Sequence, residues 1–457
     1  MAMFRRKLMQ AIVDKNTKRL SATRIIASVF IGLILLGTLL LMLPVASRSG
    51  VSCGFRPALF TATSATCVTG LVLYDTFTQW SPFGQVVIIC LIQIGGLGFM
   101  SVATMVMFML RRKVGLKQRM IMAQALSLND LDGVVRLQKW VIGGSLTVEA
   151  VGAAILTAYF APKFGFWTAL KLGVFHSISA FCNAGFDIFG YGTSLVEFNS
   201  DPVVLLTLGA LVVVGGLGFL VWEEVLNFHK TKKLSVYARL VLVASSALLI
   251  LGTVLFALAE WNNPDTIGNM STGDKLLNSF FQSVTTRTAG FAAVDQGLLT
   301  DGGKGIAIFL MLIGGSSGST AGGVKTVTMM VLFLFLWSRI RNKSSVTVYR
   351  RTIPNKQVMD AMTIVTLVIG LAMFGAIFIS ATSPVSFTDG LFEAVSALAT
   401  VGITAGATTQ LSIAAQYLII IYMYFGRVGV LTISLGFLMG NEAEERFRYA
   451  HTNLMIG

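Results

Sequence analysis

The sequence predicts an all-α, polytopic membrane protein in which four M1-P-M2 repeats (helix, pore half-helix, helix) are arranged pseudo-fourfold around a central ion pore, with eight transmembrane helices. Three observations support this fold class. Hydrophobic residues make up 54% of the 457 residues and charged residues only 12%, which is more apolar side chain than a soluble core can bury. Runs of about 20 apolar residues, the length that crosses the hydrocarbon core, recur along the chain. One short pattern occurs four times at long and similar intervals.

Eight apolar runs are the predicted transmembrane helices. They cover residues 24–44, 84–110, 137–160, 203–228, 238–260, 305–337, 358–380 and 413–439. The first run is too long for the core of a signal peptide and lacks a convincing cleavage site, so we expect it to be retained.

The basic residues predict the orientation of these spans. Of the 35 Lys and Arg residues, 26 lie in the N-terminal segment, in the C-terminal tail and in the connections after the even-numbered runs. The positive-inside rule then places both termini in the cytoplasm. Because these charges flank apolar spans and do not form one stripe, a membrane topology is favoured over binding to nucleic acid.

The repeated pattern is an aromatic residue, nine mostly small or hydroxylated residues, and a glycine followed by an apolar residue. Its copies begin at Phe60, Phe175, Phe280 and Phe392 and end at Gly70, Gly185, Gly290 and Gly402, which we call the filter glycines. These glycines are 115, 105 and 112 residues apart, so each unit has room for two membrane helices. The segments 57–66, 166–181, 272–286 and 387–398 are too short and polar to span, and each should be a half-helix that enters the membrane and returns.

The residues between each half-helix and its glycine are the predicted ion-binding filter. They are Thr66, Cys67, Val68, Thr69 and Gly70; Cys182, Asn183, Ala184 and Gly185; Arg287, Thr288, Ala289 and Gly290; and Ala399, Thr400, Val401 and Gly402. Irregular backbone at membrane depth must line a cavity, and glycine allows positive φ, so successive carbonyl oxygens can turn toward one axis. Such oxygens, with the negative ends of the half-helices, can replace the hydration shell of an alkali cation.

Acidic residues follow three of the filter glycines, at Asp75, Asp187 and Asp295. They would concentrate cations at an outer mouth. The alternative is that each is an ordinary solvated loop residue.

The second span of each repeat contains a further glycine cluster, and two of these clusters predict close helix packing. In the third repeat the cluster becomes a loop inside the membrane, because glycine and serine are too frequent there for regular helix. This predicted gate loop consists of Gly314, Gly315, Ser316, Ser317, Gly318, Ser319, Thr320, Ala321, Gly322 and Gly323.

Arg427 in the fourth repeat occupies the place of Gly96 and Gly216 and is the second predicted gate element. A buried guanidinium requires a partner or a cavity, and one that faces the pore would repel cations. The alternative is a structural pair with an acid or with carbonyl groups.

Other charged residues within the membrane are Glu149, Arg287 and Glu393, for which buried pairs that fix the half-helices are favoured over ion contact. Lys325 could anchor the gate loop. Neither the four cysteines nor the three histidines have a metal-ligand spacing, so a metal site or a disulfide framework is not indicated. Cys67 and Cys182 are interpreted as packing residues.

The predicted organisation follows from these elements. It comprises a cytoplasmic N-terminal segment (1–23), four repeats (24–113, 114–230, 231–343 with the gate loop 314–323, and 344–440), and a cytoplasmic C-terminal tail (441–457).

The strings ATCVTGL, TTRTAGF and GGSSGSTAGG carry a family resemblance that covers nearly the whole chain. The chain resembles the Trk/Ktr/HKT superfamily of potassium transporters and, with eight spans, is most similar to its Ktr-type membrane subunits. The resemblance implies potassium uptake across the bacterial plasma membrane, often sodium-dependent, with K⁺ at the filter carbonyls. It also implies a homodimer with a pore in each protomer and a cytosolic ring of KtrA-type subunits that bind ATP or ADP.

The same resemblance assigns Gly70, Gly185, Gly290 and Gly402 to the filter, and residues 314–323 with Arg427 to the gate. Plant relatives with serine at the first filter glycine are sodium-selective, so Gly70 favours potassium. No nucleotide is expected on this chain, because nucleotide control requires the separate partner.

Two other classes of function compete with a channel-like transporter. A Na⁺- or H⁺-coupled carrier that works by alternating access would be supported by a relay of intramembrane acids, but only Glu149 and Glu393 are available. A membrane-embedded enzyme would need a nucleophile, base or metal constellation, and the sequence shows none.

Overall fold

The computed structural model describes residues 22–98, 134–190 and 194–429. The tail 441–457, nearly all of the N-terminal segment, the ends of the predicted spans 84–110 and 413–439, and the basic segment after the second span lie outside the described residues.

Nearly all regular structure in the described part of the chain is helical. The helices of the first half are α1 (Ala22–Leu41), α2 (Phe55–Thr66), α3 (Thr76–Gln79), α4 (Pro82–Leu97), α5 (Val134–Phe164), α6 (Phe166–Phe181), α7 (Pro202–Leu217), α8 (Phe219–Leu226) and α9 (Phe228–Thr231). Those of the second half are α10 (Val236–Glu260), α11 (Thr272–Thr285), α12 (Asp301–Leu312), α13 (Thr326–Ile340), α14 (Asn355–Thr382), α15 (Phe387–Leu398) and α16 (Ile413–Val428). A short antiparallel hairpin of β1 (Thr347–Val348) and β2 (Arg351–Thr352) joins α13 to α14.

Local sequence explains where the helices that follow the filter glycines, which we call the inner helices, begin and end. Helices α4 and α7 begin at a proline after Ser81 and Asp201, whose side chains accept hydrogen bonds from the first backbone N–H groups. Helices α4, α7 and α16 end at Gly98, Gly218 and Gly429, which have φ of 80°, 91° and 96°. Three inner helices therefore end at the same position of their glycine clusters.

The four predicted half-helices are present as α2, α6, α11 and α15. Helices α6 and α15 have the predicted bounds, α2 begins at Phe55, two residues early, and α11 ends at Thr285, one residue early. Each packs against the long helix that precedes it, namely α1, α5, α10 and α14.

A second set of contacts links the four copies of the pattern in a closed ring. The helix that follows each filter segment packs against the half-helix of the next copy: α4 on α6, α7 on α11, and α12 on α15. Helix α16 packs on α2 and so connects the last copy to the first. All four half-helices therefore surround one axis.

Two predicted spans are not continuous helices. The span predicted over 203–228 is bent and not straight, because α7 and α8 meet at Gly218 with a bend of 99°. Gly218 has left the helical region of φ, and the carbonyls of Gly215 and Gly216 bond to the gate loop and not to the next helical turn. The prediction for 305–337 is divided into α12 and α13 by residues 313–325, which contain the predicted loop.

Four described helices are long and apolar enough to cross a membrane alone, and α7 with α8 would make a fifth. Three shorter apolar helices, α4, α13 and α16, accompany them. Large apolar side chains such as Leu39, Ile250 and Leu258 are exposed on the long helices, as expected for a surface that faces lipid. The chain is therefore a membrane protein, and the count of eight spans stays a prediction.

Candidate cation pathway

The four filter glycines lie against one another at the centre of the ring. A methyl group on Gly70 would lie 3.3 Å from the Cα atoms of both Gly185 and Gly402, and one on Gly185 would lie 2.5 Å from Cα of Gly290. Glycine is required here because any side chain would enter the backbone of a neighbouring copy.

The carbonyl before each filter glycine faces the filter glycine of another copy. A methyl group on Gly70 would lie 2.7 Å from Ala184 O, and one on Gly185 would lie 2.9 Å from Ala289 O. A methyl group on Gly290 would lie 2.9 Å from Val401 O, and one on Gly402 would lie 1.8 Å from Thr69 O. Each of these oxygens belongs to the residue that precedes the next filter glycine around the ring. Four backbone oxygens, one from each copy, thus surround the axis. This arrangement can coordinate a dehydrated alkali cation.

The backbone reaches this arrangement through an unusual conformation shared by all four copies. The residue two before each filter glycine has positive φ: 56° at Val68, 60° at Asn183, 69° at Thr288 and 50° at Thr400. Three of these residues are β-branched, and such residues rarely adopt left-handed φ, at a cost of about 1–3 kcal/mol each. Repetition of the strain in four places indicates a functional constraint, and sequence reasoning did not identify it.

Serine side chains hold the filter segments, and these residues were also not identified from the sequence. Ser64 and Ser396 accept hydrogen bonds from the N–H groups of Gly70 and Gly402, each at 3.0 Å. Ser179 donates to the carbonyl of Phe186 at 2.7 Å. All three serines lie six residues before a filter glycine, so alignment of the copies could have found them. The third copy has Val284 there, and Thr285 donates to Phe291 O instead.

Every predicted filter residue other than Arg287 is buried. In the described part of the chain, the hydroxyls of Thr66, Thr69 and Thr400 have no hydrogen-bond partner. Unpaired buried oxygens are costly, and these three all belong to the predicted filter segments.

On one side the filter opens into a cavity of about 500 Å³. All four filter glycines line this cavity, together with Asp75, Asp187 and Asp295. The three predicted acids therefore share one mouth. Asp75 and Asp295 also cap local turns, through Thr78 N at 2.7 Å and Gly297 N at 2.9 Å.

Asp187 and Asp75 are partly buried, whereas Asp295 is exposed. Burial and, to a smaller extent, the negative charge of Asp75 raise the pKa of Asp187 to about 7. The mouth therefore gains negative charge as the pH rises through neutrality.

The fourth copy carries its acid behind the cavity wall. The carboxylate of Glu393 is fully buried and accepts hydrogen bonds from Thr404, Ala405 N and Thr408. Among the described residues no cation lies within ion-pair distance of Glu393 or Glu149, so the buried partners of both acids are uncharged groups. Hydroxyl and amide donors satisfy Glu393, and it fixes the loop that follows the filter.

The second and third copies hold that loop with different side chains. In the second copy His176 Nε2 accepts from Ile188 N at 3.3 Å, and in the third Gln282 pairs with Gln296. The sequence does not identify these residues, because the copies use different residue types for the same purpose.

The predicted gate loop lies on the opposite side of the filter from the cavity and contacts the other copies. Thr320 donates from its hydroxyl to Phe181 O at 3.0 Å, beside the second filter segment. A methyl group on Gly322 would lie 1.9 Å from the hydroxyl oxygen of Thr400 in the fourth segment. Lys325 Nζ donates to Ala321 O at 2.7 Å within the loop. The loop therefore passes beneath the filter.

Arg427 joins this loop to the first copy. Its guanidinium donates to the carbonyl of Thr320 and to those of Gly95 and Gly96 at the end of α4. The structure thus shows carbonyl partners, as in the structural alternative, and those partners include the gate loop itself.

The side chain of Arg287 points away from the filter. It donates to Ser245 O at 3.2 Å and to Thr326 Oγ1 at 3.2 Å, and it contacts Gly314 O at 3.5 Å. Only its backbone belongs to the filter segment. Glu149 accepts both bonds from the Gln93 amide, at 3.0 and 3.1 Å, beside Cys182.

The inner glycine clusters pack against the ends of the half-helices. A methyl group on Gly95, Gly215 or Gly426 would lie 2.0, 2.1 or 2.3 Å from the last carbonyl of α2, α6 or α15. Three inner helices therefore pack closely against half-helices through a glycine. In the third copy the corresponding Gly314 instead packs against Gly322 O inside the loop.

Comparison with known proteins agrees with this geometry. The potassium/sodium uptake protein NtpJ of Enterococcus hirae is 38% identical over 445 residues, which cover 96% of this chain and 98% of that protein. The Ktr system potassium uptake protein B of Vibrio alginolyticus is 38% identical over 442 residues, covering 95% and 94%. The crystal structure of the potassium transporter TrkH from Vibrio parahaemolyticus has the same fold, with a TM-score of 0.68 at 17% identity over 91% of this chain and 85% of that one.

A family model described as TrkH, cation transport protein, matches residues 13–449. This family consists of cation transporters and is not a family of enzymes. The length of the match and the near-complete coverage of both relatives show that the chain belongs to the TrkH family of cation transport proteins, in its Trk/Ktr branch.

Proposed function

We propose that this chain is the potassium-translocating membrane subunit of a Ktr-type uptake system. The observation that carries the proposal is the ring of four carbonyl oxygens, from Thr69, Ala184, Ala289 and Val401, around the filter glycines. The relatives named above are potassium or potassium/sodium uptake proteins, which agrees with an alkali cation as the transported ion.

The proposed architecture is four M1-P-M2 repeats with eight transmembrane helices. The contacts of α4, α7, α12 and α16 with the next half-helix support four units around one axis. The repeat boundaries remain 24–113, 114–230, 231–343 and 344–440, with both termini in the cytoplasm of a bacterial cell.

In the proposed mechanism K⁺ enters through the acidic cavity, sheds water at the filter, and passes the gate loop on the inner side. The carbonyls of all four filter segments replace the hydration shell, so dehydration costs little. Residues 314–323 close the path because they cross beneath the filter, and Arg427 stabilises this position through Thr320. Movement of the loop would open the pathway.

Control of the loop is assigned to partners. We propose a homodimer and a cytosolic ring of KtrA-type nucleotide-binding subunits, supported by the word "system" in the name of the Vibrio alginolyticus relative. Sodium dependence is included because the Enterococcus hirae relative is named for potassium and sodium. A coupled carrier is less well supported, since Glu149 and Glu393 are bound by separate local donors and form no relay among the described residues.

The test is cation flux into liposomes that contain the purified chain, with potassium, rubidium and sodium compared under an imposed membrane potential. Entry of potassium and rubidium well above sodium supports the carbonyl filter. Gly70→Ser should raise the relative entry of sodium, because a side chain at Gly70 would reach Ala184 O and distort one quarter of the ring. An unchanged ion ratio in this variant would contradict the filter assignment.

A further inference from the structure

The gate loop is bound to the break between α7 and α8. Ser316 N donates to Gly216 O at 3.1 Å, and Thr320 N donates to Gly215 O at 3.3 Å. In return, Phe219 N at the start of α8 donates to Gly318 O at 2.9 Å. The break thus supplies the carbonyls and N–H group that a continuous helix would have used internally.

One side chain from outside these elements also holds the loop. Tyr237, in the first turn of α10, donates from its hydroxyl to the carbonyl of Ser317 at 2.9 Å. Its own position is fixed by α8, because Glu224 accepts from both the N–H and the hydroxyl of Ser235, at 2.7 and 2.8 Å. The partly buried Tyr237 packs against the hydrophobic cluster of Val221, Ala238 and Val241.

We propose that Tyr237 is a positioning residue that holds the gate loop in its closed position against the break at Gly218. The proposal rests on the assignment of residues 314–323 as the gate. The bond is placed at Ser317, between the two loop residues that bond to α7, so it opposes withdrawal of the loop from beneath the filter. Since Tyr237 and α8 are joined through Glu224 and Ser235, displacement of α8 would reach the loop by this route.

The experiment compares Tyr237→Phe with Tyr422→Phe in the full chain. Both changes remove one hydroxyl from a tyrosine bonded to a backbone carbonyl, and Tyr422 donates to Leu371 O at 2.6 Å, away from the gate loop. Rubidium uptake by liposomes without any cytosolic partner should rise about fivefold in Tyr237→Phe, the factor that corresponds to loss of one net hydrogen bond from the closed state. It should not rise in Tyr422→Phe, and the potassium-to-sodium ratio should be unchanged in both variants.

A second variant tests the same contact from the other side. A methyl group on Gly218 would lie 2.6 Å from Ser316 Oγ and 3.0 Å from Ser317 O, so Gly218→Ala should displace the same part of the loop. If both residues act on one closed state, the double variant should raise uptake by less than the product of the two single effects.

Deletion of residues 316–319 separates failure of the proposal from failure of the gate assignment. Uptake that rises in the deletion but not in Tyr237→Phe overturns the role of Tyr237 and leaves the gate intact. Uptake that rises in neither variant overturns the gate and the proposal together. A purely structural role for Tyr237 predicts lower thermal stability and lower uptake per folded protein, which is the opposite direction.

Discussion

The four copies of the repeat contribute similar structure to the filter side of the candidate pathway and different structure to the gate side. On the filter side the four copies use the same backbone: left-handed φ two residues before the glycine, the glycine itself, and a carbonyl that faces the neighbouring copy. On the gate side they differ, with Gly96, Gly216, the gate loop and Arg427 in corresponding places. A cation needs similar ligands from every direction, whereas closure needs an element that crosses the axis from one direction.

The energetic consequence is that each side can be changed separately. The filter segments are held by local hydrogen bonds to the half-helices, such as those that Ser64 and Ser396 accept from Gly70 N and Gly402 N. The gate loop is held by bonds to other copies, through Gly215, Phe181 and Arg427. Variants on the filter side should therefore affect conduction or selectivity, and variants on the gate side should affect the open fraction.

The largest effect is expected for Gly402→Ala. Its methyl group would lie 1.8 Å from Thr69 O, so one carbonyl of the ring must move, and rubidium uptake in liposomes should fall to background. Gly406→Ala is the matched control, because Gly406 also has positive φ, 83°, but has open space around it. Equal loss in both variants would show that backbone strain, and not the ring of carbonyls, causes the effect.

The next effect is expected for Arg427→Gln, which removes a charge that bridges three copies. Uptake without a partner should rise about tenfold if ~1.4 kcal/mol of the closed state is lost, a cautious value for charge-assisted hydrogen bonds. The control is Arg48→Gln, because Arg48 Nε donates to Trp80 O at 3.3 Å within the first predicted repeat and not to the gate loop. That change should lower the melting temperature without raising uptake, and a rise in both variants would remove the distinction between them.

The smallest effect concerns pH on the cavity side. The pKa of Asp187 is raised to about 7 by burial and by Asp75, so this carboxyl loses its proton and gains negative charge as the pH rises from 6 to 8. One added negative charge at the mouth should lower the rubidium concentration for half-maximal uptake by about twofold to threefold between these values.

Asp187→Asn should remove this dependence on external pH. Asp295→Asn should weaken uptake at both pH values and keep the ratio between them. Retention of the pH step in Asp187→Asn would assign the titration to another group.

The sequence predicts the repeated elements well, because repetition averages out local ambiguity. The half-helices are located within two residues, and the ring of filter glycines follows from four shared Phe–Gly spacings. The gate loop is also predicted, since the density of glycine and serine between 314 and 323 is incompatible with helix.

The remaining features depend on partners that are distant in the sequence. The bend at Gly218 is stabilised by bonds from the gate loop, about 100 residues further along the chain, so the apolar run alone predicts a straight span. The partners of Arg427 lie in α4 and the loop. The donors to Glu393 are a backbone N–H and two threonine hydroxyls, and the sequence does not identify them because they carry no charge.

The packing of α16 on α2 also has a consequence for biosynthesis. The first half-helix leaves the ribosome early, whereas the helix that covers it belongs to the last part of the described chain. Until α16 is inserted, α2 has no final neighbour on that side. The ring of four half-helices therefore closes only when the last unit enters the bilayer, and a chain interrupted before α16 would contain every earlier element of a ring that is still open.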